Sequence, residues 1–488
     1  MQPIRRLPRI LPLALCAAAW LPVACATQLP QPVQGERTVV LSTEYDDQRA
    51  GNEAFRTVQE EIGLVDDPAL TEYVRKIGRR LLRYAPPRTF EYEFAIVDQF
   101  EPNAFALPGG YVFVSRGLLA LANSEDEIAN VIGHEITHAA ARHAAAQQEF
   151  ARRQNPLALP WVLVGHLAAY GRDQERDADR GGQVLAAKAG YDPAAMSDFL
   201  KNLGGVERLR TGVSRIPTFA ATHPGITERQ ADTAARSRTI QWERDPARPT
   251  GRDAYLRHIE GLALGVNPAE GVFEGDRFLH PDLDFHLQFP HGWDYRNTRE
   301  AVGAVSSDGD AVIFLKAEGE ERDPKLAAED FVAANAEEFF LAVVRAAPVR
   351  IGDIQAYRVE VQGTSGGQKL GGLLTFIPYR GLMYRITGVG PVRAFSRYQG
   401  RALNTARSFR PLTPQERASI EKTSLRVVKA LPEEELVTLS ERTGNAWDPQ
   451  RTAVLNGFAS TARFRGGEDV KIAQSEPYRP PETAARAR

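Results

Sequence analysis

His134 and His138 lie four residues apart in the stretch Val131-Ile-Gly-His-Glu-Ile-Thr-His138. On an α-helix that spacing puts two side chains one turn apart on one face. Two imidazoles so placed can share one zinc ion through their ring nitrogens, at roughly 2.0–2.1 Å each. Glu135 follows the first histidine, and its carboxylate can reach a water on such an ion and take its proton. The alternative is a surface helix that happens to carry two histidines. The flanks argue against it, because the stretch is apolar and Ala-rich. Ser124 can cap its first turn, with Glu127 reaching back to Ser124 as a capping box, and acidic residues fill that turn as the helix dipole prefers.

The pattern is H-E-x-x-H, a helix-borne zinc and general-base arrangement used in peptide hydrolysis. A catalytic zinc with two histidines needs a third protein ligand and one open position. Asp173-Gln-Glu-Arg-Asp-Ala-Asp179 offers one. Glu175 and Asp179 are again one helical turn apart, so Glu175 can ligate while Asp179 accepts the free N–H of a zinc-bound histidine. Spacing alone leaves open that this acidic pair is a solvated helix face. His143 falls about 140° around the helix from His138, which predicts a structural histidine that does not bind the same ion.

H-E-x-x-H followed some tens of residues later by E-x-x-x-D resembles the gluzincin family that includes the CAAX prenyl proteases, HtpX and BepA. Asn103-Ala-Phe-Ala-Leu-Pro-Gly-Gly110 is similar to that family's active-site edge strand, with Asn103, Ala104 and Phe105 facing substrate. Thr222-His223-Pro224, with Arg229 six positions after the histidine, resembles its late active-site motif. The resemblance covers about 53–235. It implies His134, His138 and Glu175 as ligands of one Zn2+ per chain, Glu135 as general base, and Asp179 as the partner behind a ligand. It implies that His223 stabilises the oxyanion or occupies the open zinc position at rest, with Arg229 close by. Without spanning helices the chain looks like the exported, BepA-like branch, although no run of helical repeats follows the protease domain.

The 488 residues have room for two to four domains. With 60 basic against 62 acidic residues, no strong field is aimed at nucleic acid or an acidic membrane. Arg5, Arg6 and Arg9 precede an apolar run from Ile10 to Val23, and Ala24-Cys25-Ala26 reads as A-x-A. That predicts a secretory signal peptide at 1–26 and a periplasmic location. A twin-arginine signal and a lipid anchor at Cys25 are the alternatives. The apolar stretch 157–170 is too short to span a bilayer, so the mature protein should be soluble or a peripheral membrane protein.

A linker at 27–36 leads into a zinc metalloprotease domain at 37–244. Asp67-Pro68 opens a helix with the apolar stripe Leu70, Tyr73, Val74, Ile77 and Leu81. Strands are expected at 90–96 and 111–114, and Pro108 suits a sheet edge, where a peptide can lie extended. A linker and closing helix fill 245–270, the helix at 255–264. At 271–412 the texture changes to an antiparallel sheet packed by helices at 324–346 and 395–409, an α+β domain. It resembles PsbP-like or Mog-like domains in layout and in its FP-x-GW turn. His280, His286 and His291 there read as structural or exposed. Residues 424–474 form a small β-α-α-β module that looks LysM-like, which implies N-acetylglucosamine polymers and hence peptidoglycan. The tail at 475–488 is expected to be disordered.

The fold class is therefore multidomain α+β: a mainly helical zincin domain with a small β-sheet, an antiparallel-sheet domain, and a βααβ module. The functional reading is an exported zinc metalloendopeptidase for unfolded or misassembled cell-envelope proteins. A periplasmic chaperone or scaffold with weak or no proteolysis, and a peptidoglycan-binding protein, are the rival readings.

Overall fold

A computed structural model describes residues 43–144, 171–209, 218–248, 251–365 and 367–480. The expected signal peptide with Cys25, the linker at 27–36 and the apolar stretch 157–170 lie outside the described residues. The chain divides into two compact units. One runs to Val266 and takes in Glu421–Glu476; the other is Asn267–Ile420 with the chain from Pro477. No helix among the described residues is long and apolar enough to cross a membrane.

The first unit opens with α1 (Glu44–Glu61), started by a capping box between Thr43 and Asp46. In α2 (Pro68–Leu82) Asp67 caps the first turn, Pro68 sits where its missing N–H costs nothing, and the expected stripe is buried. β1 (Glu93–Val97), β2 (Ala104–Leu107) and β3 (Tyr111–Ser115) form one sheet in the order β1-β3-β2, with β2 antiparallel to β3. The first ladder residue is Glu93, three positions after the expected start at Phe90. β2 is the edge strand. Its alternate side chains part company: Ala104 and Ala106 join the core around the helix that carries His134 and His138, Phe105 and Leu107 a second cluster with Ala54 and Val58 of α1. Gly109, at φ 78°, turns the chain after β2 where a Cβ would meet Gln48 Cα at 2.8 Å.

After α3 (Arg116–Leu121) comes α4 (Glu125–Ala140), the helix of His134 and His138. Ser124 Oγ accepts from the Glu127 amide at 3.2 Å, as expected. Glu127 does not reach back to Ser124, however; its carboxylate accepts from the Asn123 amide at 3.1 Å. The box is thus displaced one residue, and Glu127 is buried. α5 (Arg172–Lys188), α6 (Ala195–Leu209), the single turn α7 (Phe219–Thr222) and α8 (Ile226–Ser237) complete the helical layer, with α5 packed along α4. The closing helix α9 is Arg252–Ile259 rather than 255–264. Gly261 (φ 82°) breaks it, and Ala263–Leu264 become strand β4.

The second unit begins with a meander of β5 (Val272–Glu274), β6 (Arg277–His280) and β7 (Phe285–Gln288). A seven-stranded antiparallel sheet follows in the order β11-β12-β13-β14-β10-β9-β8. Its strands are β8 (Asp294–Asn297), β9 (Ala301–Val305), β10 (Val312–Glu320), β11 (Ala342–Ile351), β12 (Ile354–Ser365), β13 (Gln368–Tyr379) and β14 (Leu382–Pro391). Helix α10 (Pro324–Phe339) covers one face through Ala327 and Ala328 against Leu374 and Phe376. α11 (Phe395–Arg407) covers the other, its Phe395 and Ala402 in one cluster with Leu373 and Ile386. The helix expected to reach residue 346 stops at Phe339. Phe340 turns left-handed (φ 49°), and β-branched Val343 and Val344 enter β11 against β12. α12 (Pro414–Ser419) closes the unit. His286 Nδ1 lies 2.9 Å from Glu416, and His291 is exposed.

β15 (Glu421–Lys429), α13 (Leu436–Thr443), α14 (Pro449–Asn456) and β16 (Asp469–Pro477) keep the β-α-α-β order, and Gly457 ends α14 in the left-handed region. These residues group with the first unit instead of standing apart, since β15 lies between β16 and β4 in one sheet. The expected disordered tail begins too early at 475. β16 continues to Pro477, and the Tyr478 amide donates to the Ile420 carbonyl at 2.8 Å.

Candidate metal centre

α4 presents both histidines inward, and both are essentially without exposure. Their Nε2 atoms are 3.0 Å apart. α5 brings Glu175 to them: Oε1 is 3.4 Å from His138 Nε2 and Oε2 is 3.7 Å from His134 Nε2. His223, just after α7, adds Nδ1 at 3.2 Å from His134 Nε2 and 2.9 Å from Glu175 Oε1. These four ligand atoms all lie within 4.8 Å of one another, the one such group among the described residues.

The donor set fits a tetrahedral cation. With bonds of about 2.0–2.1 Å, the ligand atoms of a zinc site are about 3.3–3.4 Å apart; the five distances given above run from 2.9 to 3.7 Å, and one atom from each residue falls within 4.8 Å of the others. The chemistry agrees: two imidazoles and a carboxylate turn their lone pairs to one buried point.

The surroundings hold each donor in place. His134 Nδ1 is 3.0 Å from Asp179 Oδ1. Arg229 of α8 grips both oxygens of Asp179 at 2.7 and 2.8 Å, reaches Glu175 Oε2 at 2.6 Å, and donates to the His223 carbonyl at 3.1 Å. Burial would push the Glu175 carboxyl up, but the Arg229 guanidinium and the His223 ring outweigh it and hold it well below the usual range. Asp179 is lowered by the same contest, again chiefly through Arg229. Burial drives His138 well below the ordinary imidazole range, favouring the neutral ring that a metal needs. The Phe219 ring stacks on His223 at 4.2 Å, and the Phe219 amide donates to the Pro102 carbonyl at 3.0 Å, tying α7 to the approach to β2.

Glu135 is fully buried, and neither carboxylate oxygen makes a hydrogen bond among the described residues. Its Oε1 lies 3.5 Å from His223 Nε2. Burial raises its carboxyl above the ordinary value despite the opposing pull of His223 and His134. A carboxyl kept basic beside a metal position suits proton transfer.

Of the expected site residues, the structure brings His134, Glu135, His138, Glu175, Asp179, His223 and Arg229 together. Ala104 and Phe105 lie in edge strand β2, and Asn103 precedes it, its amide donating to Ser115 Oγ at 2.9 Å. His143 stands outside the ligand group, as expected, although the geometry behind that expectation differs. Its Nδ1 is 2.8 Å from His138 Nδ1. The 140° argument assumed a continuous helix, and α4 ends at Ala140, two residues before a left-handed Arg142 (φ 55°). Burial lowers His143 to about 4, so it stands there as a neutral ring.

The sequence profile of peptidase family M48 matches residues 68–164 and 157–237. The beta-barrel assembly-enhancing protease of Escherichia coli (strain K12) is 31% identical over 240 residues, which is 44% of this chain and 48% of that protein. The mitochondrial metalloendopeptidase OMA1 of Schizosaccharomyces pombe (strain 972 / ATCC 24843) is 29% identical over 200 residues, 38% of this chain and 58% of that protein. The chain thus spans about half the length of the curated relatives it matches. The solution structure of cyanobacterial PsbP from Synechocystis sp. PCC 6803 aligns with 34% of the chain and 100% of its own length, at 13% identity and a TM-score of 0.25. A likeness that slight assigns no domain.

Proposed function

We propose, from the match of residues 68–237 to the profile of peptidase family M48, that the chain is an exported zinc metalloendopeptidase acting on misfolded or misassembled envelope proteins. The observation that carries the reading is the convergence of His134, His138, Glu175 and His223 on one buried point with Glu135 alongside. The A-x-A site after an apolar run supports export, and the protein named for beta-barrel assembly supports an envelope substrate.

His134, His138 and Glu175 would hold the zinc, with His223 in the fourth position at rest. A zinc ion bound there supplies Lewis acidity and lowers the pKa of an adjoining water toward neutrality. Glu135 takes a proton from the attacking water and passes it to the leaving amine nitrogen. Asp179 keeps His134 in the tautomer whose Nε2 lone pair faces the centre. Edge strand β2 offers the backbone of Ala104 and Phe105 to an extended substrate, with Asn103 leading into it. His223 must swing aside before a peptide carbonyl can enter.

Exchange of Glu135 for Gln tests this, with casein as a loosely folded substrate. Cleavage should fall by about 10²-fold or more while bound metal stays at the wild-type level. Undiminished cleavage would remove Glu135 from the chemistry. One observation favours a second reading, a chaperone or scaffold with weak proteolysis: the four donors are at most 1% exposed. Suppression of substrate aggregation that survives Glu135→Gln would support it.

A further inference from the structure

We propose that His143 is a positioning residue for the metal centre: its Nδ1 accepts the Nδ1–H of His138 and so fixes that ligand's tautomer and ring orientation. The inference rests on the metal reading of the site and deepens it.

The argument begins with an asymmetry. Both histidines of α4 turn Nε2 to the shared point, so each must carry its hydrogen on Nδ1 when it ligates. For His134 that nitrogen lies 3.0 Å from the Asp179 carboxylate. For His138 it lies against a second imidazole, with the two Nδ1 atoms 2.8 Å apart and the rings edge to face at 74°. Two nitrogens at that distance require one hydrogen between them, since two lone pairs or two N–H groups would repel. If His143 were the donor, His138 would carry its own hydrogen on Nε2 and could not ligate. The ligating arrangement therefore makes His143 the acceptor.

The backbone is built to deliver that acceptor. α4 stops at Ala140, and Arg142 adopts a left-handed conformation (φ 55°) uncommon for a side chain of its size. Such a conformation is unfavourable and persists only when its surroundings enforce it. Here Arg142 Nε holds the buried Asp47 carboxylate of α1 at 2.5 Å, while the Arg142 amide donates to the Ala139 carbonyl at 3.1 Å. The turn swings His143 back beneath His138 and buries it to 9% exposure.

The test uses the full chain, stripped of metal and reloaded with zinc, with affinity read by competition against a chromogenic chelator. His143→Ala should weaken zinc binding about 10- to 100-fold, the range for removing such a partner. His143→Asn places an amide oxygen where Nδ1 stood and should restore affinity to within about threefold of wild type. The unfolding midpoint of each metal-free variant is recorded alongside. An Ala variant that binds zinc as tightly as wild type overturns the proposal. So do Ala and Asn variants that lose affinity and midpoint equally, since that marks a merely structural histidine. A wild-type chain that takes up no zinc instead overturns the metal reading itself.

Discussion

Gly182 of α5 lies against the backbone of His134: a Cβ built on it would fall 2.7 Å from the His134 amide nitrogen. Gly133 faces it, with only 3.0 Å between its own would-be Cβ and the Gly182 carbonyl oxygen. The two glycines let α4 and α5 approach closely enough for Glu175 to reach the histidines. Gly182→Ala should force the helices apart, costing about 1–3 kcal/mol of stability as overpacking. Zinc affinity should fall with it. Urea unfolding and chelator competition on the same samples check both, and an Ala variant with wild-type affinity would detach the helix spacing from the site.

Arg229 neutralises two buried carboxylates at once, Asp179 through two hydrogen bonds and Glu175 through an ion-pair contact. Arg229→Met leaves them facing each other without a cation. Removing one partner of a buried ion pair costs about 3–5 kcal/mol, so the metal-free chain should lose that much in denaturant unfolding. Arg229→Lys should recover only part of it, because an ammonium cannot grip both oxygens of Asp179 as a fork does.

Lys471, on β16, is fully buried and donates to the carbonyls of Ala120, Leu121 and Ala122 at 2.7, 3.0 and 2.8 Å. It thus ends α3 just before α4 begins. Lys471→Met removes a donor that three carbonyls share; the Leu121 carbonyl keeps Asn123 Nδ2 at 3.2 Å. We expect a loss of about 2–4 kcal/mol, read from the thermal midpoint of the full chain. A loss below about 0.5 kcal/mol, the range of an ordinary surface substitution, would mean the module does not brace α4.

His280, in the second unit, is lowered from 6.5 to about 4 by burial. Its folded form therefore resists the proton that the unfolded chain accepts below pH 6.5. Its contribution is full above pH 6.5 and drains away as pH falls toward 4, by up to about 3 kcal/mol. His280→Asn keeps an acceptor for the Leu283 amide, which the ring nitrogen meets at 3.2 Å, but cannot titrate. The gap between the urea midpoints at pH 7 and pH 4.5 should narrow in the variant; an unchanged gap would refute the assignment.

What the sequence determined is local. The i, i+4 spacing of His134 and His138, the Ser124 cap and the stripe of α2 depend on neighbours within a turn or two, and all are in the structure where the residues put them. Where local preference and long-range pairing compete, the sequence misleads. The stretch 342–346 continues a helical pattern but becomes β11, because β12 lies ready to pair with it. Likewise 263–264 leaves the expected helix to pair with β15.

Tertiary structure alone decided the rest. His134 and His223 are 89 residues apart, and His223 and Glu175 are 48 apart; no spacing rule fixes their meeting, only the packing of α4, α5 and α7. The joining of 424–474 to the first unit follows from a sheet that closes across distant strands. His143 is the clearest instance. Its place behind His138 depends on a left-handed Arg142 held by Asp47, 95 residues earlier in the chain. A non-glycine residue adopts that conformation only when the surrounding fold enforces it.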